Sequence, residues 1–401
     1  MPTFKEGRRR IGYCLSEKKK RKLNFHLFEE LCRKRGFEVS EIDLGKTLSS
    51  HGPFDIIIHK LSDLIVESGY DVQSHHLIQS FQAYLETQPR TILLDPLPAM
   101  RTLSDRFQSY RLLQSLQSLC RAENCIFSPP YIEVMTSDRS KILRHIREQH
   151  LTFPFICKPR VAHGCSSHQM ALIFNQHGLG DVKPPCLLQS FINHSAILYK
   201  VFVVGSAQFV VQRPSLKNLP PGESERKTIF FNSHDVSKPE SCSHLSTTNS
   251  GEGTAGPPAS DIVQQIVQGL SSALGISLFG VDLIVDMQSG HCAVIDVNAF
   301  PGYEGVPEFF PALIKHIEML MESQEQTSST QALPAEHSSH PRNPHQEKAK
   351  ENAPDRAHLI CPTPPVQDPW IGKPRTTENI KASEPDTFYS FAVSPSLLLP
   401  N

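Results

Sequence analysis

Two apolar runs near the chain's later part flank a Met287-Gln288-Ser289-Gly290 turn: Phe279-Gly280-Val281-Asp282-Leu283-Ile284-Val285-Asp286 before it, and His291-Cys292-Ala293-Val294-Ile295-Asp296-Val297-Asn298-Ala299-Phe300-Pro301-Gly302 after it. The pattern predicts an antiparallel hairpin. Side chains alternate faces along a strand, so Asp296 and Asn298 project together, and Asp282 joins them if the register sets it opposite. Carboxylates among Val, Ile and Leu are costly when uncompensated, and a divalent cation is the usual compensation. Two carboxylates and a carboxamide are hard oxygen donors, which suits Mg²⁺ held jointly with nucleotide phosphates. The plainer reading is a hairpin with surface acids and an Asn in a turn.

With 401 residues there is room for two or three domains with sizeable cores. A formal net charge of -1 gives no global field toward nucleic acid or membrane, so neither is expected as a partner. Anion binding must then come from local clusters. The ten cysteines lack CxxC pairs and metal-ligand spacing, and Cys157, Cys186 and Cys292 sit in apolar runs where Cys packs as a small hydrophobe. The N-terminus is charged where a signal peptide needs an apolar core, and no apolar run reaches membrane-spanning length. These features lead to the expectation of a soluble cytoplasmic protein, with the nucleus as a second compartment.

The first third alternates strand and helix patterns. Arg10–Leu15, Phe37–Leu44, Phe54–Lys60 and Thr91–Leu94 read as strands, and Asn24 is placed to cap a helix through Arg35 that Gly36 ends. The alternation predicts a small parallel sheet whose ligands bind at the strands' C-terminal ends. Two basic features lie there, Lys18-Lys19-Lys20-Arg21-Lys22 after the first strand and His59-Lys60 closing the third. A solvated face or a localisation signal is the bland account of the run. Lys60, ending a buried strand, is harder to dismiss. No glycine-rich dinucleotide fingerprint follows the first strand, which excludes a hydride-transfer domain. Asp95 to Arg106 leads into a helix ending near Cys120, with Arg106 in its first turns against the dipole preference. It serves an anionic ligand there, or pairs with Asp105 or another nearby acid.

Ser128-Pro129-Pro130 marks the crossing into a second unit. Phe153–Arg160 reads as a strand from which Lys158 emerges. The small-residue loop Val161–His168 and a strand at Met170–Phe174 follow, an arrangement that suits a flap covering phosphates with backbone N–H groups. It is no Walker A loop, because the Gly-Lys-Ser/Thr ending is missing. Pro184–Ile192 suits an edge strand offering backbone groups to a base. Lys200 is the lone cation in Ala196–Val204 and needs an anion or a carboxylate partner. Gln212-Arg213-Pro214-Ser215 ends the neighbouring strand. Residues 237–260 read as a mobile Ser/Thr/Gly/Pro loop, Ser260–Leu274 and Glu308–Glu322 as helices, and the remainder, with Trp370, as a disordered tail.

Taken in order, Lys158, Gln189, Lys200, Asp282, Asp296 and Asn298 make the chain resemble the ATP-grasp superfamily. More narrowly it resembles the inositol-tetrakisphosphate 1-kinase (inositol 1,3,4-trisphosphate 5/6-kinase) family. Leu15-Ser16-Glu17-Lys18-Lys19, Ile58-His59-Lys60, Leu94-Asp95-Pro96, Pro154–Lys158, His163-Gly164, Ser167-His168, Val211–Ser215 and Asp296–Gly302 carry the match over roughly the first four-fifths of the chain. The resemblance implies an α/β (α+β) ATP-grasp fold, with a Rossmann-like inositol-phosphate domain over 1–115, ATP-grasp subdomains over 116–325 and a tail over 326–401. It implies nucleotide contacts from Arg106, Lys158, Gln189, Lys200, Ser215, Ser233 and Ser237. Substrate contacts fall on Lys19, Lys60, His168, Lys200, Arg213, Asn298 and Gly302, and metal ligation on Asp282, Asp296 and Asn298. Lys158, Lys200 and Asp296 are the residues expected to act in catalysis. Pro159 and Cys165 depart from the family's pattern. ATP, two Mg²⁺ ions per site, inositol polyphosphates and a monomer are the implied cofactors, ligands and state. The implied reaction is phosphorylation of inositol 1,3,4-trisphosphate and inositol 3,4,5,6-tetrakisphosphate, with reversible transfer giving isomerase activity. An ATP-grasp carboxylate-amine ligase and a non-catalytic ATP-binding scaffold are the alternatives.

Overall fold

The computed structural model describes residues 9–119, 126–241, 243–246 and 256–331. The expected tail beyond Gln331, with Trp370, and residues 242 and 247–255 of the expected 237–260 loop lie outside them. The N-terminal part is built on β1 (Arg10–Cys14), a buried strand as its apolar run requires. Gly12 is needed in it because a Cβ there would meet Ile42 Cδ1 at 2.6 Å. The lysine run after β1 is itself a helix, α1 (Glu17–Leu23), whose Ser16 cap accepts from the Lys19 N–H. Glu17 in its first turn and Lys20, Arg21 and Lys22 in its last complement the helix dipole. Asn24 does not start the next helix, as expected, but ends α1 in the left-handed region at φ 56°. Asn tolerates that region better than most residues, and α2 (His26–Lys34) begins beyond it.

Then come β2 (Glu38–Glu41), β3 (Ile56–His59), α3 (Ser62–Glu67), α4 (Val72–Thr87) and β4 (Ile92–Leu94). The four strands form the expected parallel sheet, in the order β2-β1-β3-β4. The single helix expected between Asp95 and Cys120 is two, α5 (Leu97–Ser104) and α6 (Arg106–Leu119). Asp105 breaks it by turning extended (φ -118°, ψ 111°) and bridging to Val161 across the flap.

The remaining chain makes two five-stranded sheets. One takes β6 (Tyr131–Val134), β7 (Phe155–Pro159), β8 (Gln169–Ile173), β9 (Cys186–Ser190) and β12 (Ile229–Asn232), with α7 (Arg139–Glu148) on one face, in the antiparallel order β12-β8-β7-β9-β6. The other takes β5 (Ile126–Phe127), β10 (Ile197–Val204), β11 (Ala207–Pro214), β13 (Leu278–Val285) and β14 (Cys292–Ala299), ordered β11-β10-β13-β14-β5. Between them in sequence lie α8 (Ser233–Ser237) and α9 (Ser260–Leu274), and α10 (Phe309–Gln331) follows the hairpin. The tail was expected from 326, but α10 continues to Gln331. Among the described residues no helix is long and apolar enough to cross a membrane.

Core packing shows which parts hold the site. The N-terminal sheet and the hairpin sheet share two cores. One gathers Cys14, Ile57 and Met100 with Val263, Phe279 and Val281; the other gathers Ile11, Ile58 and Leu94 with Phe202, Phe300 and Leu313. Emptying one such aromatic position costs about 3–5 kcal/mol. The β12-β8-β7-β9-β6 sheet has its own cores, around Phe155, Ile173 and Leu188 on one face and Leu172, Phe174 and Phe231 on the other. A polar clamp adds to the first union. Asp95, at the end of β4 and 1% exposed, accepts the Ser277 and Leu278 N–H groups at 2.9 and 2.8 Å, and its carbonyl accepts from His59 Nε2 at 2.6 Å. The start of β13 is thereby tied to the end of β4.

Candidate active site

The hairpin register sets Asp282 directly opposite Asp296, and a bulge follows Asp282. Asn298, opposite Gly280, lies two residues beyond Asp296 and so shares its face. On the other flank Lys200 pairs with Asp282 across β10 and β13, its Nζ 2.8 and 2.9 Å from the two carboxylate oxygens. The carboxylate partner that Lys200 needs is therefore Asp282. Burial, and after it the Asp296 charge, push the Asp282 carboxyl upward against the pull of Lys200. Among the described residues no three His, Cys, Asp or Glu side chains gather in metal-binding fashion. The candidate set is instead two carboxylates and one carboxamide, all oxygen donors, which fits a hard cation.

Lys158 leaves β7 4% exposed and donates to Tyr110 Oη at 2.8 Å and to the Ile295 carbonyl at 2.9 Å. Burial lowers it to about 8, while Asp296 opposes that fall. The buried Tyr110 hydroxyl also meets the Ile295 carbonyl and, at 2.9 Å, the Gln189 side chain. One phenolic proton cannot serve two acceptors. With the proton given to Ile295, the Gln189 amide turns its Nε2 toward the phenol, an orientation that the hydrogen-bond network decides. Tyr110 thus joins Lys158, Gln189 and the strand of Asp296. Sequence reading passed it over, although it lies one helical turn after Arg106, on the same face of α6.

Arg106 opens α6 and is 2% exposed. Its guanidinium donates to the carbonyls of Pro159, Val161 and Ser167, at 2.6, 3.2 and 3.2 Å, and stands 4.0 Å from Asp296. It braces both ends of the flap and faces the acid pair. The alternative of a pair with Asp105 is not realised, because Asp105 binds Arg160 at 2.7 Å and caps the Phe107 N–H. Another expectation needs correction at Gln189. β9 is not an edge, since it lies between β7 and β6 and both neighbours pair with Gln189. Backbone groups open to a base can begin only beyond it, in the connection from Phe191 to Ala196. Within that connection His194 donates through Nδ1 to Ile192 O at 2.6 Å, so its Nε2 accepts the Ser215 hydroxyl at 2.7 Å. Ser233 lies 3.3 Å from His168 Nδ1, whereas Ser237 returns its hydroxyl to the Ser233 carbonyl. His168 stacks on His234 with ring centroids 3.6 Å apart.

A second group of cations comes from the N-terminal part and β11. Lys19 of α1 donates to the carbonyls of Phe300 and Pro301 at 2.7 and 2.5 Å, and its Nζ lies 4.1 Å from the centre of the Phe300 ring. Lys60 donates to the Ala299 carbonyl. Burial lowers both, Lys60 to about 8, and Lys60 also depresses Lys19. Arg213 on β11 donates to the Glu304 carbonyl at 2.7 Å. These cations therefore ring Ala299–Glu304, directly after the acid pair. The Lys22–Glu304 ion pair, 2.5 Å apart, closes the ring. Sequence reading singled out Lys22 only as part of its basic run and assigned Glu304 no role.

Opposed carboxylates, lysines on flanking strands and a small-residue flap make a group of side chains suited to nucleotide-dependent phosphotransfer. Comparison with known proteins agrees. A profile for the inositol 1,3,4-trisphosphate 5/6-kinase ATP-grasp domain matches residues 120–319, and one for that family's pre-ATP-grasp domain matches residues 10–100. The chain belongs to the inositol 1,3,4-trisphosphate 5/6-kinase family and has its ATP-grasp fold. It is 46% identical to inositol-tetrakisphosphate 1-kinase of Xenopus laevis over 398 residues, 99% of this chain and 96% of the relative. To inositol-tetrakisphosphate 1-kinase of Danio rerio it is 52% identical over 325 residues, 81% and 82% of the two chains. Among solved structures, D-alanine–D-alanine ligase from Bacillus anthracis aligns with a TM-score of 0.47 at 13% identity, over 81% of this chain and 100% of that one. The chain is thus an ATP-using inositol polyphosphate kinase, a phosphotransferase with an alcohol as acceptor, which sets aside the ligase and scaffold alternatives.

Proposed function

We propose that the enzyme phosphorylates inositol 1,3,4-trisphosphate at its 5 and 6 positions and inositol 3,4,5,6-tetrakisphosphate at its 1 position, holding ATP with Mg²⁺ between its two sides. The observation that carries this reading is the convergence of Lys19 and Lys60 on the carbonyls of Ala299, Phe300 and Pro301, next in sequence to Asp296 and Asn298. A small ligand bearing many phosphates suits such a cation ring better than a simple carboxylate does. The nucleotide side is Lys158, Gln189, Lys200 and Arg106, with Ser215 at the connection from Phe191 to Ala196 and Ser233 and Ser237 in α8. The substrate side is Lys19, Lys60, His168, Arg213, Asn298 and Gly302, with Lys200 reaching both.

Asp282, Asp296 and Asn298 would hold Mg²⁺, which when bound supplies charge neutralisation on the phosphate oxygens. The chain's own residues do the rest. Lys158, fixed by Tyr110 and Ile295, offers a cation to the transferring phosphate, worth about 4 kcal/mol at ~4 Å and an effective dielectric near ~20 before desolvation. Lys200, paired with Asp282 in the free enzyme, would be released toward phosphate if that carboxylate held Mg²⁺. Arg106 holds the flap closed over the nucleotide through three carbonyls. Loose transition states need little prior proton abstraction, so holding the ring hydroxyl in line suffices without a dedicated base. The same arrangement runs backward with ADP, which supports a phosphate-moving isomerase activity.

The test separates the two sides by calorimetry. Lys19→Ala and Lys60→Ala should each weaken inositol-phosphate binding by about 1–3 kcal/mol, the range for charge-assisted contacts, and leave ATP affinity nearly unchanged. Lys158→Ala should instead weaken ATP binding or lower kcat. Equal ATP losses in all three variants, with melting temperatures confirming folded protein, would defeat the assignment.

A further inference from the structure

Glu304 is an acid placed among the cations of the proposed substrate side. Its carboxylate is 2.5 Å from Lys22 Nζ, and the two side chains are 46% and 47% exposed. Both side chains lie over Gly302. A Cβ on that glycine would meet Glu304 Oε1 at 2.3 Å and Lys22 Cε at 2.6 Å, so the pair lies directly over a position expected to face substrate. Arg213 fixes the backbone beneath it through the Glu304 carbonyl. Lys22 and Lys200 both act on the Glu304 carboxylate, and His234 feels Lys22, Lys200 and Glu304 together. One half-exposed anion thus sits near side chains of α1, β10, β11 and α8.

We propose that Glu304 is a displaceable counter-ion: it holds Lys22 over Gly302 in the free enzyme and yields Lys22 to a phosphate of the bound inositol polyphosphate. A half-exposed pair of this kind is weak, so a phosphate can replace it. Lys22 then becomes a substrate contact. A ring carrying a hydroxyl at that place leaves the pair intact, and the carboxylate accepts the hydroxyl's hydrogen bond. Glu304 therefore discriminates phosphate from hydroxyl at one ring position, and the discrimination costs affinity only to ligands that bring a phosphate there.

This inference rests on the inositol-phosphate reading above, and one titration series distinguishes the two. Full-length parent, Glu304→Gln, Lys22→Gln and the double variant are titrated with a positional set of inositol tris- and tetrakisphosphates, without ATP. Glu304→Gln should tighten binding about two- to fivefold, the range of a half-exposed ion pair, for the isomers that place a phosphate at Lys22 and not for the others. In the Lys22→Gln background that gain should vanish, because the two residues act through each other. Unchanged or uniformly changed affinity across the set in Glu304→Gln, or a gain that survives in the double variant, overturns the counter-ion. If the parent binds no member of the set, the substrate reading falls and the counter-ion role falls with it.

Discussion

Asp296 meets four demands from one strand position: it faces Asp282, stands 4.0 Å from Arg106, acts on the buried Lys158, and shares its face with Asn298. Replacing it by Asn keeps the shape and removes the charge. Asp296→Asn should therefore abolish turnover of ATP while leaving the melting temperature within a few degrees of the parent, about what a change under 1 kcal/mol produces in a domain of this size. Parental turnover with Mg²⁺ present would refute the metal assignment. The cations opposite make a second prediction, this time of proton movement. Burial holds Lys60 at about 8, below its ordinary value, because the charged form is poorly solvated. A polyanion favours that charged form and raises the group again, so ligand binding near about pH 8.5 must take up protons. Calorimetry of inositol-phosphate binding in two buffers of unlike ionisation enthalpy should show uptake, reduced in Lys60→Gln. Proton release, or uptake indifferent to that change, would contradict it.

At the scale of elements, the pieces legible in the sequence were those with a strong period or a strong chemical demand. The hairpin, the parallel sheet, the helix Ser260–Leu274 and the need of Lys200 for a carboxylate all follow from side-chain alternation, helical spacing and the cost of a lone interior cation. What the sequence hid depends on contacts between distant segments. Asp105 breaks a helix of unbroken local propensity because Arg160 and Val161 hold it extended, and Asn24 ends a helix because Ser16 has already started one. Tyr110 is an ordinary helical aromatic until Lys158 and Ile295 arrive. Asp95 is the strongest case, since its role exists only where β4 meets β13. Burial pushes its carboxyl up to about 6, against the two backbone N–H groups that favour the anion. The folded state then keeps the proton to a higher pH than the unfolded chain, so this group's contribution is present below about pH 4 and lost as pH rises through about 6. The shift amounts to about 3 kcal/mol. Asp95→Asn lacks that titration but presents an amide donor to one N–H, so it should be destabilised overall. Its stability relative to the parent should rise by about 3 kcal/mol from pH 4 to pH 7, read from denaturant midpoints. A pH-independent gap would rule out the buried ionised carboxylate.

For the whole molecule, the distribution of cores matters more than the order of segments along the chain. The N-terminal sheet does not close a core by itself. Ile57 and Met100 pack with Phe279 and Val281 in one cluster, and Ile11 and Ile58 with Phe300 and Leu313 in the other. The β12-β8-β7-β9-β6 sheet closes its own larger cores on both faces and reaches the rest through a small cluster of Phe107 and Tyr110 with Leu187 and Tyr131 and through the polar contacts of Lys158, Tyr110 and Arg106. Cooperative opening follows shared apolar burial, so the described chain should open in two units that cut across its sequence. One comprises β1 to β4 with β10, β13, β14 and α10. The other comprises β6 to β9 with β12, and it carries Lys158 and Gln189. Two measurements follow from this division. A fragment of residues 1–115 should fail to fold, because half of each core it needs lies beyond residue 200. In native-state hydrogen exchange of the full chain, amides of β7 to β9 should share an opening free energy below that shared by β1, β3 and β13. ATP should raise the lower value toward the higher, since a nucleotide bound at Lys158 and Arg106 spans both units and stabilises their docking by mass action. A well-folded 1–115 fragment would show that the N-terminal sheet closes a core by itself. One common opening energy for all three sheets without ATP would show that the contacts of Phe107, Tyr110 and Arg106 couple the sheets as strongly as the shared cores do.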